Sequence, residues 1–302
     1  MSVKILCPAQ TIVGESIVWD ERRGCLFWVD IVGKAIHSFD LASGTHHQTT
    51  TPDIATSIGL TTGRAAVVGL RKTVCLWDHS TGFHEIAAIE CDPPANRLNE
   101  GVVAPDGSFW VGTMQNNIAK DGTARDITEA TGRIYRVTAA GQVSPVTSDR
   151  FGITNSFVWT EAGDLITADT LENTLYRYRR PAGSDLYQRI DQLLADFPRG
   201  LPDGSCVDAD GYIWNCRVAG GGCIVRLTPE GEVVRIVELP CSWPTSCCFG
   251  GEDFATLFVT TARFTMDAVH LARHPQEGAV LAVDTGVRGC PAHRFDIGDL
   301  VR

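Results

Sequence analysis

The sequence predicts an all-β protein with the architecture of a six-bladed β-propeller. Short apolar runs of strand length recur six times along the 302 residues, roughly 40 to 56 residues apart. Each run is followed by a second one, and often by a third, more polar one, with glycine-containing turns between most of them. No segment keeps a helical period for long. Six copies of a unit with three or four strands are typical of a propeller with six blades.

The strands of this propeller can be placed on the sequence in order. The first strong strand of each unit is predicted at 25–30, 65–70, 108–113, 164–169, 212–216 and 256–261. The second is predicted at 35–40, 73–78, 133–137, 174–179, 223–227 and 279–284. Segment 185–197 has some helical character, but its place in the repeat predicts an outer strand. Segments 5–13 and 292–298 are predicted to complete one blade together, which would close the ring without an open sheet edge.

The composition is that of a globular protein, and it limits the expected partners. With 44% hydrophobic and 21% charged residues, the chain is expected to form a single domain over residues 1–302. Its formal net charge of −10 argues against nucleic acid or an anionic membrane as a partner, because both require a basic surface. No apolar run approaches the roughly 20 residues that span a bilayer, and the N-terminus lacks a signal-peptide pattern. The odd count of 11 cysteines then predicts reduced thiols in a cytoplasmic protein. A monomer is the expected state, because that is the default for a closed propeller.

A further repeat precedes the first strong strand of each unit. It consists of a polar residue, usually a small residue, two apolar residues and a turn with glycine. In a propeller the innermost strand of each blade lines the central channel, so equivalent positions come to about the same height. The sequence therefore predicts a ring of polar residues in the channel, formed by Glu15, Ser57, Glu100, Asn155, Asp203 and Thr245.

Oxygen-bearing side chains in this ring predict a metal site. Glu15, Asn155 and Asp203 are the expected ligands, with Glu100 as a candidate fourth. Converging carboxylates repel each other unless a cation or protons intervene. Two carboxylates and one amide oxygen suit a hard or borderline divalent ion such as Ca²⁺, Mg²⁺ or Mn²⁺, and three ligands leave positions open for water and substrate. Taken singly, each residue could instead be an ordinary turn or cap residue.

Other catalytic chemistries lack their motifs. There is no GxSxG nucleophile elbow, so a Ser-His-Asp hydrolase is not supported. The eight histidines do not cluster at metal-ligand spacing. The glycine runs at 220–222 and 250–251 lack the strand–helix context of a phosphate-binding loop.

Five motifs together resemble the gluconolactonase/regucalcin family, also called the senescence marker protein-30 family. They are GESIVWDERRG (14–24), NRLNEGVVAPDGSFWVGTM (96–114), GITNSFVWT (152–160), LPDGSCVDADGYIWNC (201–216) and PTSCCFGGED (244–253). The resemblance runs over essentially the whole chain and implies a six-bladed propeller. It also implies one divalent metal ion, held by the residues matching Glu15, Asn155 and Asp203. Ca²⁺, Zn²⁺, Mn²⁺, Mg²⁺ and Fe²⁺ are the candidates.

The resemblance further implies that the metal-bound site hydrolyses sugar lactones to aldonic acids. Arg97 and Asn99 match family positions that hold the sugar hydroxyls and the carbonyl. Glu100, also assigned to the substrate site, stands where many relatives have Asp. The family often has an acidic substrate contact shortly after GTM, whereas this chain offers Asn116 and Asn117, of which Asn117 is the predicted contact. The departure leaves the hydroxyl specificity open.

The leading prediction is thus a metal-dependent aldonolactonase of sugar catabolism, in which Asp203 is both a metal ligand and the general base. Three alternatives remain: a calcium-binding regulatory protein without turnover, a hydrolase of another ester on the same metal site, and an interaction scaffold. A scaffold needs no ring of acidic residues, and a calcium sensor would need a bistable element such as an EF-hand. Segment 113–132, the longest insertion between strands, is either a substrate lid or a plain surface loop.

Overall fold

The computed structural model, which describes residues 2–298, is a six-bladed β-propeller and confirms the predicted fold class. Every blade is an antiparallel sheet of four strands, and the second blade carries one additional short strand. The predicted single domain extends over residues 1–302, so its ends at residue 1 and residues 299–302 lie outside the described part of the chain. None of the helices within residues 2–298 has the length and hydrophobicity that spanning a bilayer requires.

Strands follow one another from the channel to the rim within each blade. Strand β1 spans Val3–Cys7 and belongs to the last blade. The first blade contains β2 (Gly14–Asp20), β3 (Cys25–Asp30), β4 (Ala35–Asp40) and β5 (His46–Thr50). The second blade contains β6 (Ala55–Thr61), β7 (Ala66–Leu70), β8 (Thr73–Asp78) and β9 (Gly82–Ala88). The third blade contains β10 (Arg97–Val103), β11 (Phe109–Met114), β12 (Ile134–Val137) and β13 (Val143–Pro145). The fourth blade contains β14 (Thr154–Trp159), β15 (Leu165–Asp169), β16 (Thr174–Arg179) and β17 (Gln188–Ala195). The fifth blade contains β18 (Leu201–Val207), β19 (Ile213–Val218), β20 (Cys223–Leu227) and β21 (Val233–Glu238). The sixth blade contains β22 (Pro244–Gly250), β23 (Thr256–Thr261) and β24 (Val280–Asp284), and β1 completes it.

The two chain ends do not complete one blade together, and this part of the prediction is wrong. N-terminal strand β1 pairs antiparallel with β24 and alone closes the sixth blade. The C-terminal strand β25 (Arg294–Phe295) instead pairs parallel with β6, the inner strand of the second blade. A single N-terminal strand thus gives the sixth blade its fourth strand and covers the edge of β24.

Hydrophobic residues pack between the blades. Within residues 2–298, six buried clusters each lie between two neighbouring blades. The second strand of a blade is covered on both faces, which explains why β3 and β11 are almost continuously apolar and buried rather than alternating. The outer strands are exposed and more polar, as β5 shows.

Segment 185–197 forms the outer strand β17, as its place in the repeat predicts.

The one α-helix of the described residues, α1 (Ala268–Arg273), lies between β23 and β24 and was not predicted. It begins at Asp267, whose carboxylate accepts a hydrogen bond of 2.7 Å from the N–H of His270. This six-residue helix is too short to show a helical period in the sequence.

Buried aspartates bind the segments that lead into two of the inner strands. Asp30, at the end of β3, accepts hydrogen bonds of 2.8 and 3.0 Å from the N–H groups of Ile12 and Val13, just before β2. Asp169, at the end of β15, accepts bonds from the two N–H groups of residues 152–153, just before β14. Each carboxylate therefore fixes the backbone immediately ahead of a strand that carries a predicted metal ligand.

Replacement of Asp30 by alanine should lower the free energy of unfolding by about 2–4 kcal/mol, because the N–H groups of Ile12, Val13 and Gly33 lose their acceptor. Urea unfolding measures this change. Asp78→Ala is the control, since this carboxylate binds the exposed turn at Ser80, and its loss should cost less than about 1 kcal/mol. Equal losses in the two variants would contradict the anchoring role of Asp30.

Candidate metal centre and active site

A cavity of about 260 Å³ opens at the end of the channel where the inner strands begin. Its lining contains six of the seven residues predicted for the site, namely Glu15, Arg97, Asn99, Asn117, Asn155 and Asp203. They come from four blades, so the fold brings together residues that are far apart in the sequence. The seventh residue, Glu100, lines a second cavity of about 210 Å³ further along the channel, together with residues 290–293 near the C-terminus.

Strand pairing places Asn99, rather than Glu100, in register with the three predicted ligands. In three blades the reference position is the inner-strand residue that pairs with the first residue of the next strand, in the pairs Val103–Phe109, Trp159–Leu165 and Val207–Ile213. In the first blade it is Trp19, which pairs with the second residue of β3, Leu26, and which ends the same Ser-x-Val-Trp sequence (16–19) as Trp159 (156–159). Four residues before each reference position stand Glu15, Asn99, Asn155 and Asp203. The predicted ring was therefore displaced by one residue in the third blade, and Glu100 lies one position deeper in the channel.

A β-bulge follows the ring position in these inner strands. The register shifts between Glu15 and Val18 on β2, and between Asn155 and Val158 on β14. Inside these bulges Ser16 and Ser156 have φ values of +53° and +56°, which are uncommon for a residue with a side chain. A bulge re-aims side chains and ends regular pairing, so it sets the direction of the residue that precedes it.

The two Asp-Gly pairs of the fifth blade have different roles. Asp210–Gly211 forms the turn before β19, and Gly211 has a left-handed φ of +81°. Asp203–Gly204 lies inside β18 instead. A Cβ atom on Gly204 would come within 2.9 Å of the carbonyl oxygen of Thr245 on β22. Glycine is thus required for close approach of the two inner strands, and Asp203 is left facing the cavity.

Hydrogen bonds orient the amide of Asn155. Its Nδ2 donates to Thr170 Oγ1 at 2.8 Å, so its Oδ1 points towards the centre of the site. That oxygen accepts a bond of 3.2 Å from Asn99 Nδ2, which also donates to the carbonyl oxygen of Thr154 at 2.9 Å. The amide of Asn155 is therefore held in the orientation that a cation would require.

Three neighbouring carboxyl groups have raised pKa values. Burial raises the pKa of Asp203 well above its usual range, and the nearby carboxyl of Glu100 raises it further. The pKa of Glu15 is also well above its usual range, first because of burial and then because of Asp203 and Glu100. Burial raises the pKa of Glu100 to about 7. Carboxyl groups this close to one another cannot all be ionised without a positive counter-charge.

The donor set fits a divalent cation. Asp203 Oδ1 is buried and has no hydrogen-bond partner among the described residues. Such an orphaned oxygen is costly, and a cation held with Glu15 and Asn155 would remove that cost. Within residues 2–298 no group of three or more His, Cys, Asp or Glu side chains could hold a metal ion, so the amide oxygen of Asn155 is a necessary part of this candidate centre. Oxygen ligands alone favour Ca²⁺, Mg²⁺ or Mn²⁺.

Arg97 supplies the positive charge in the cavity lining. Burial lowers the pKa of Arg97 to about 10, so the guanidinium stays protonated at neutral pH. Its two terminal nitrogens donate to Asn99 Oδ1 and Asn117 Oδ1, each at 2.8 Å. Within the described part of the chain its Nε has no acceptor. Nη1 also donates to the carbonyl oxygen of Leu98 at 2.8 Å, so the guanidinium is fixed in place, and among the described residues the second N–H of Nη2 has no acceptor either.

The insertion after β11 contributes to the cavity. Asn117, Ile118 and Ala124 line it, which favours the lid interpretation of segment 113–132 over a plain surface loop. Of the two asparagines offered by the sequence, Asn116 binds the backbone of Ile118 through both amide atoms, at 3.0 and 3.2 Å. Asn117 is the one that contacts Arg97. The predicted choice of Asn117 thus agrees with its position.

Two aromatic side chains of the cavity were missed by the sequence analysis. Trp243 and Phe264 belong to the sixth blade and are both half-buried in the cavity lining. The position of Trp243, two residues before the ring residue Thr245, was the available signal. Phe264 lies beyond the end of β23 in a connection without a repeat counterpart, so its position could be found only from the structure.

The fold and the converging carboxylates at one end of the channel place this protein among β-propeller proteins with a candidate cation centre. Residues 13–263 match the family model described as the SMP-30/Gluconolactonase/LRE-like region, and the chain belongs to this family. The resemblance predicted from the motifs is thereby confirmed.

Relatives match almost the whole chain. A 6-deoxy-6-sulfogluconolactonase of Pseudomonas putida is 31% identical over 97% of this chain and 98% of its own length. Regucalcin of Gallus gallus is also 31% identical, over 97% of this chain and 99% of its own length. The crystal structure of a calcium-binding protein, regucalcin, from Agrobacterium tumefaciens has a TM-score of 0.87 and 27% identity over 97% of each chain. The similarity therefore covers all six blades.

The metal-free protein should lose stability as the pH rises from 4.5 towards 7. Across that range the folded-state pKa of Glu100, about 7, lies above its ordinary value of 4.5, so the folded protein binds more protons than the unfolded chain. The stabilising contribution is complete below the lower value and lost above the higher one. Thermal melting of chelator-treated protein at pH 5 and pH 8, compared with Glu100→Gln, measures it. We expect the wild type to fall below the variant by several degrees more at pH 8 than at pH 5.

Added Mn²⁺ or Ca²⁺ should remove most of that difference, because a cation supplies the missing counter-charge. The same pH dependence in the wild type and in Glu100→Gln would contradict the assignment of the effect to Glu100.

Proposed function

We propose that the protein is a metal-dependent lactonase that hydrolyses a sugar lactone to the aldonic acid in carbohydrate catabolism. The observation that carries this proposal is the unpaired, buried Oδ1 of Asp203, which lies in one cavity with Glu15, Asn155 and Arg97. Family membership and the relative named as a sulfogluconolactonase support lactone hydrolysis as the reaction class.

Glu15, Asn155 and Asp203 would hold one divalent cation. When bound, such a cation polarises a carbonyl group and stabilises negative charge on its oxygen. Glu15 and Asp203 supply the anionic oxygens, and Asn155 supplies a neutral one whose direction is fixed by Thr170. Among Ca²⁺, Mg²⁺, Mn²⁺, Zn²⁺ and Fe²⁺, this all-oxygen set favours the first three.

Asp203 is the proposed general base. Its Oδ1, which has no hydrogen-bond partner among the described residues, would bind the cation, and its second carboxylate oxygen would accept the proton. It takes a proton from water as the water oxygen bonds to the lactone carbonyl carbon. The ring C–O bond then breaks, the proton passes to the departing ring oxygen, and the product is a hydroxy carboxylic acid that ionises in water.

Arg97 is the proposed substrate-orienting residue. Among the described residues Nη2 donates only to Asn117, so its second N–H can donate to the lactone, while Asn99 and Asn117 hold the guanidinium in position. A charged donor in a buried site also favours the carboxylate that develops in the product. Glu100 stays a proposed contributor, and its position deeper in the channel favours an electrostatic effect on Asp203 over direct substrate contact.

A calcium-binding regulatory protein is the second candidate, because the solved relative is described as a calcium-binding protein and the same oxygen ligands suit Ca²⁺. Both candidates require cation binding, and only the first requires turnover. Assay of chelator-stripped protein with a panel of pentono- and hexonolactones, after adding back each metal, separates them.

Asp203→Asn should reduce kcat of lactone hydrolysis by at least about 10³-fold, because the amide can neither accept the proton nor supply the negative charge. Proton release measures turnover, and the thermal melt checks folding. Asp210→Asn is the matched control on the same blade, since its side chain is 73% exposed, and it should keep full activity. Retained turnover in Asp203→Asn would refute the assigned role.

Arg97→Lys should mainly raise KM, by about tenfold, because lysine keeps the charge but cannot reproduce the planar donor set that binds Asn99 and Asn117. Initial rates over a range of lactone concentrations separate KM from kcat. A fall in kcat at unchanged KM would instead assign Arg97 to the transition state.

A further inference from the structure

The cavity is mostly apolar for a site that binds a sugar derivative. Twelve of the 21 described residues that line it have aliphatic or aromatic side chains or are alanine. Those nearest the first, fifth and sixth blades include Val13, Ile31, Leu201, Val218, Trp243 and Phe264. A polyhydroxylated ligand needs a hydrogen-bond partner for each hydroxyl that leaves water, and this side of the cavity offers few.

The polar side chains of the lining are largely engaged with one another. Asn155 binds Asn99 and Thr170, and Thr170 in turn donates to the carbonyl oxygen of Pro202 at 2.8 Å. Thr245 donates to the carbonyl oxygen of Gly14. Among the described residues of the lining, the accessible donors left without a bond are the second N–H of Arg97 Nη2, the amide nitrogen of Asn117, the indole N–H of Trp243 and the hydroxyl of exposed Thr265. Two of these four donors lie together at Arg97, whereas the aromatic side offers one indole N–H and one exposed hydroxyl.

The free donors at Arg97 and the two aromatic rings of the lining face each other across the channel. Inner strands contact one another in chain order, and β22 contacts β2, so the third and sixth blades are opposite. Arg97 and Asn117 belong to the third blade. Trp243 directly precedes β22 in the sixth blade, and Phe264 follows β23. A ligand whose lactone group meets Arg97 and the candidate metal centre therefore points its other end at two aromatic rings.

Backbone strain supports a role for this aromatic side. Thr265, directly after Phe264, has a φ of +63°, which is a true outlier for a β-branched residue. Such strain persists only where the surrounding structure imposes it, and it clusters at ligand sites. Here it accompanies the turn that brings Phe264 into the cavity lining.

The charges of the cavity lining argue against a substrate with an anionic group at its far end. Of the described lining residues, Arg97 is the sole cation, and its terminal nitrogens are bound to Asn99 and Asn117. An anionic group placed against Trp243 and Phe264 would lose its hydration without gaining a counter-charge. The substrate named for the Pseudomonas putida relative carries a sulfonate, and this cavity has no charge to receive one at that end.

We infer, on the basis of the proposed lactonase function, that the substrate is an uncharged lactone whose end remote from the carbonyl is deoxygenated, with a methyl or similar apolar group seated against Trp243 and Phe264. Burial of that group against two aromatic rings removes apolar surface from water, whereas a hydroxyl in the same place finds only the indole N–H of Trp243 and the hydroxyl of Thr265 in exchange for its water partners.

The test uses three lactones that share one ring and differ at a single carbon. They are glucono-1,5-lactone with its hydroxymethyl group, the 6-deoxy lactone with a methyl group, and the 6-deoxy-6-sulfo lactone with a sulfonate. The methyl and hydroxymethyl pair is repeated in the galacto configuration, so that ring stereochemistry does not decide the result. We expect kcat/KM to be about tenfold higher for methyl than for hydroxymethyl, and at least about 100-fold higher than for sulfonate.

Phe264→Arg changes the aromatic side of the cavity, where the substituent of the tested carbon would lie. It should raise kcat/KM for the sulfonated lactone by at least about tenfold and lower it for the methyl lactone, because it replaces an apolar contact by a cation. Val234→Arg is the matched control, since Val234 is 43% exposed on the outer strand β21 and should leave all three values unchanged. Thermal melting checks that both variants fold.

The outcomes separate this inference from the function on which it rests. A preference for hydroxymethyl or sulfonate over methyl, with clear metal-dependent turnover, would overturn the inference and leave the lactonase proposal standing. Absence of turnover on every lactone with every metal would overturn both.

Discussion

Electrostatic repulsion among buried carboxyl groups is the constraint around which the channel is built. Burial raises the pKa values of Glu15, Asp203 and Glu100, and neighbouring carboxyl groups raise those of Glu15 and Asp203 further. The folded chain tolerates this arrangement because the six blades are held by large apolar interfaces that are independent of the charges. The same repulsion would favour the proposed cation, since binding one would remove an electrostatic cost that folding has already incurred.

Hydrogen bonds between neighbouring inner strands keep these charges in position. Ser16 on the first blade donates to the carbonyl oxygen of Ile58 on the second, and Asn99 on the third donates to that of Thr154 on the fourth. Ser156 donates to the carbonyl oxygen of Asp203 on the fifth blade. These bonds run across blades, where strand pairing is absent, so they connect the elements that carry the candidate ligands. A change in one blade is therefore expected to move the ligand of the next.

Much of the fold and of the candidate site could be predicted from the sequence, because a repeat places equivalent residues at equivalent positions. Glu15, Asn155 and Asp203 meet for that reason. The offset between Asn99 and Glu100 could not be resolved, since both are polar and a bulge in the inner strand makes alignment by polarity ambiguous; strand pairing decides it. The parallel pairing of Phe295 with β6 leaves no periodic pattern, because only two residues take part. The segments that cover the ends of the channel lie outside the repeat, so the repeat could not predict their positions.

The apolar side of the cavity and its charged side depend on each other. Trp243, Phe264 and the aliphatic lining reduce the water around Asp203, and electrostatic interactions strengthen as the local dielectric constant falls. A cavity lined throughout by sugar-binding hydroxyls and amides would hold more water and would screen Arg97 from a developing carboxylate. The proposed selectivity for a less oxygenated substrate and the proposed dependence on a cation would thus follow from one feature, the replacement of water by apolar side chains beside the carboxylates.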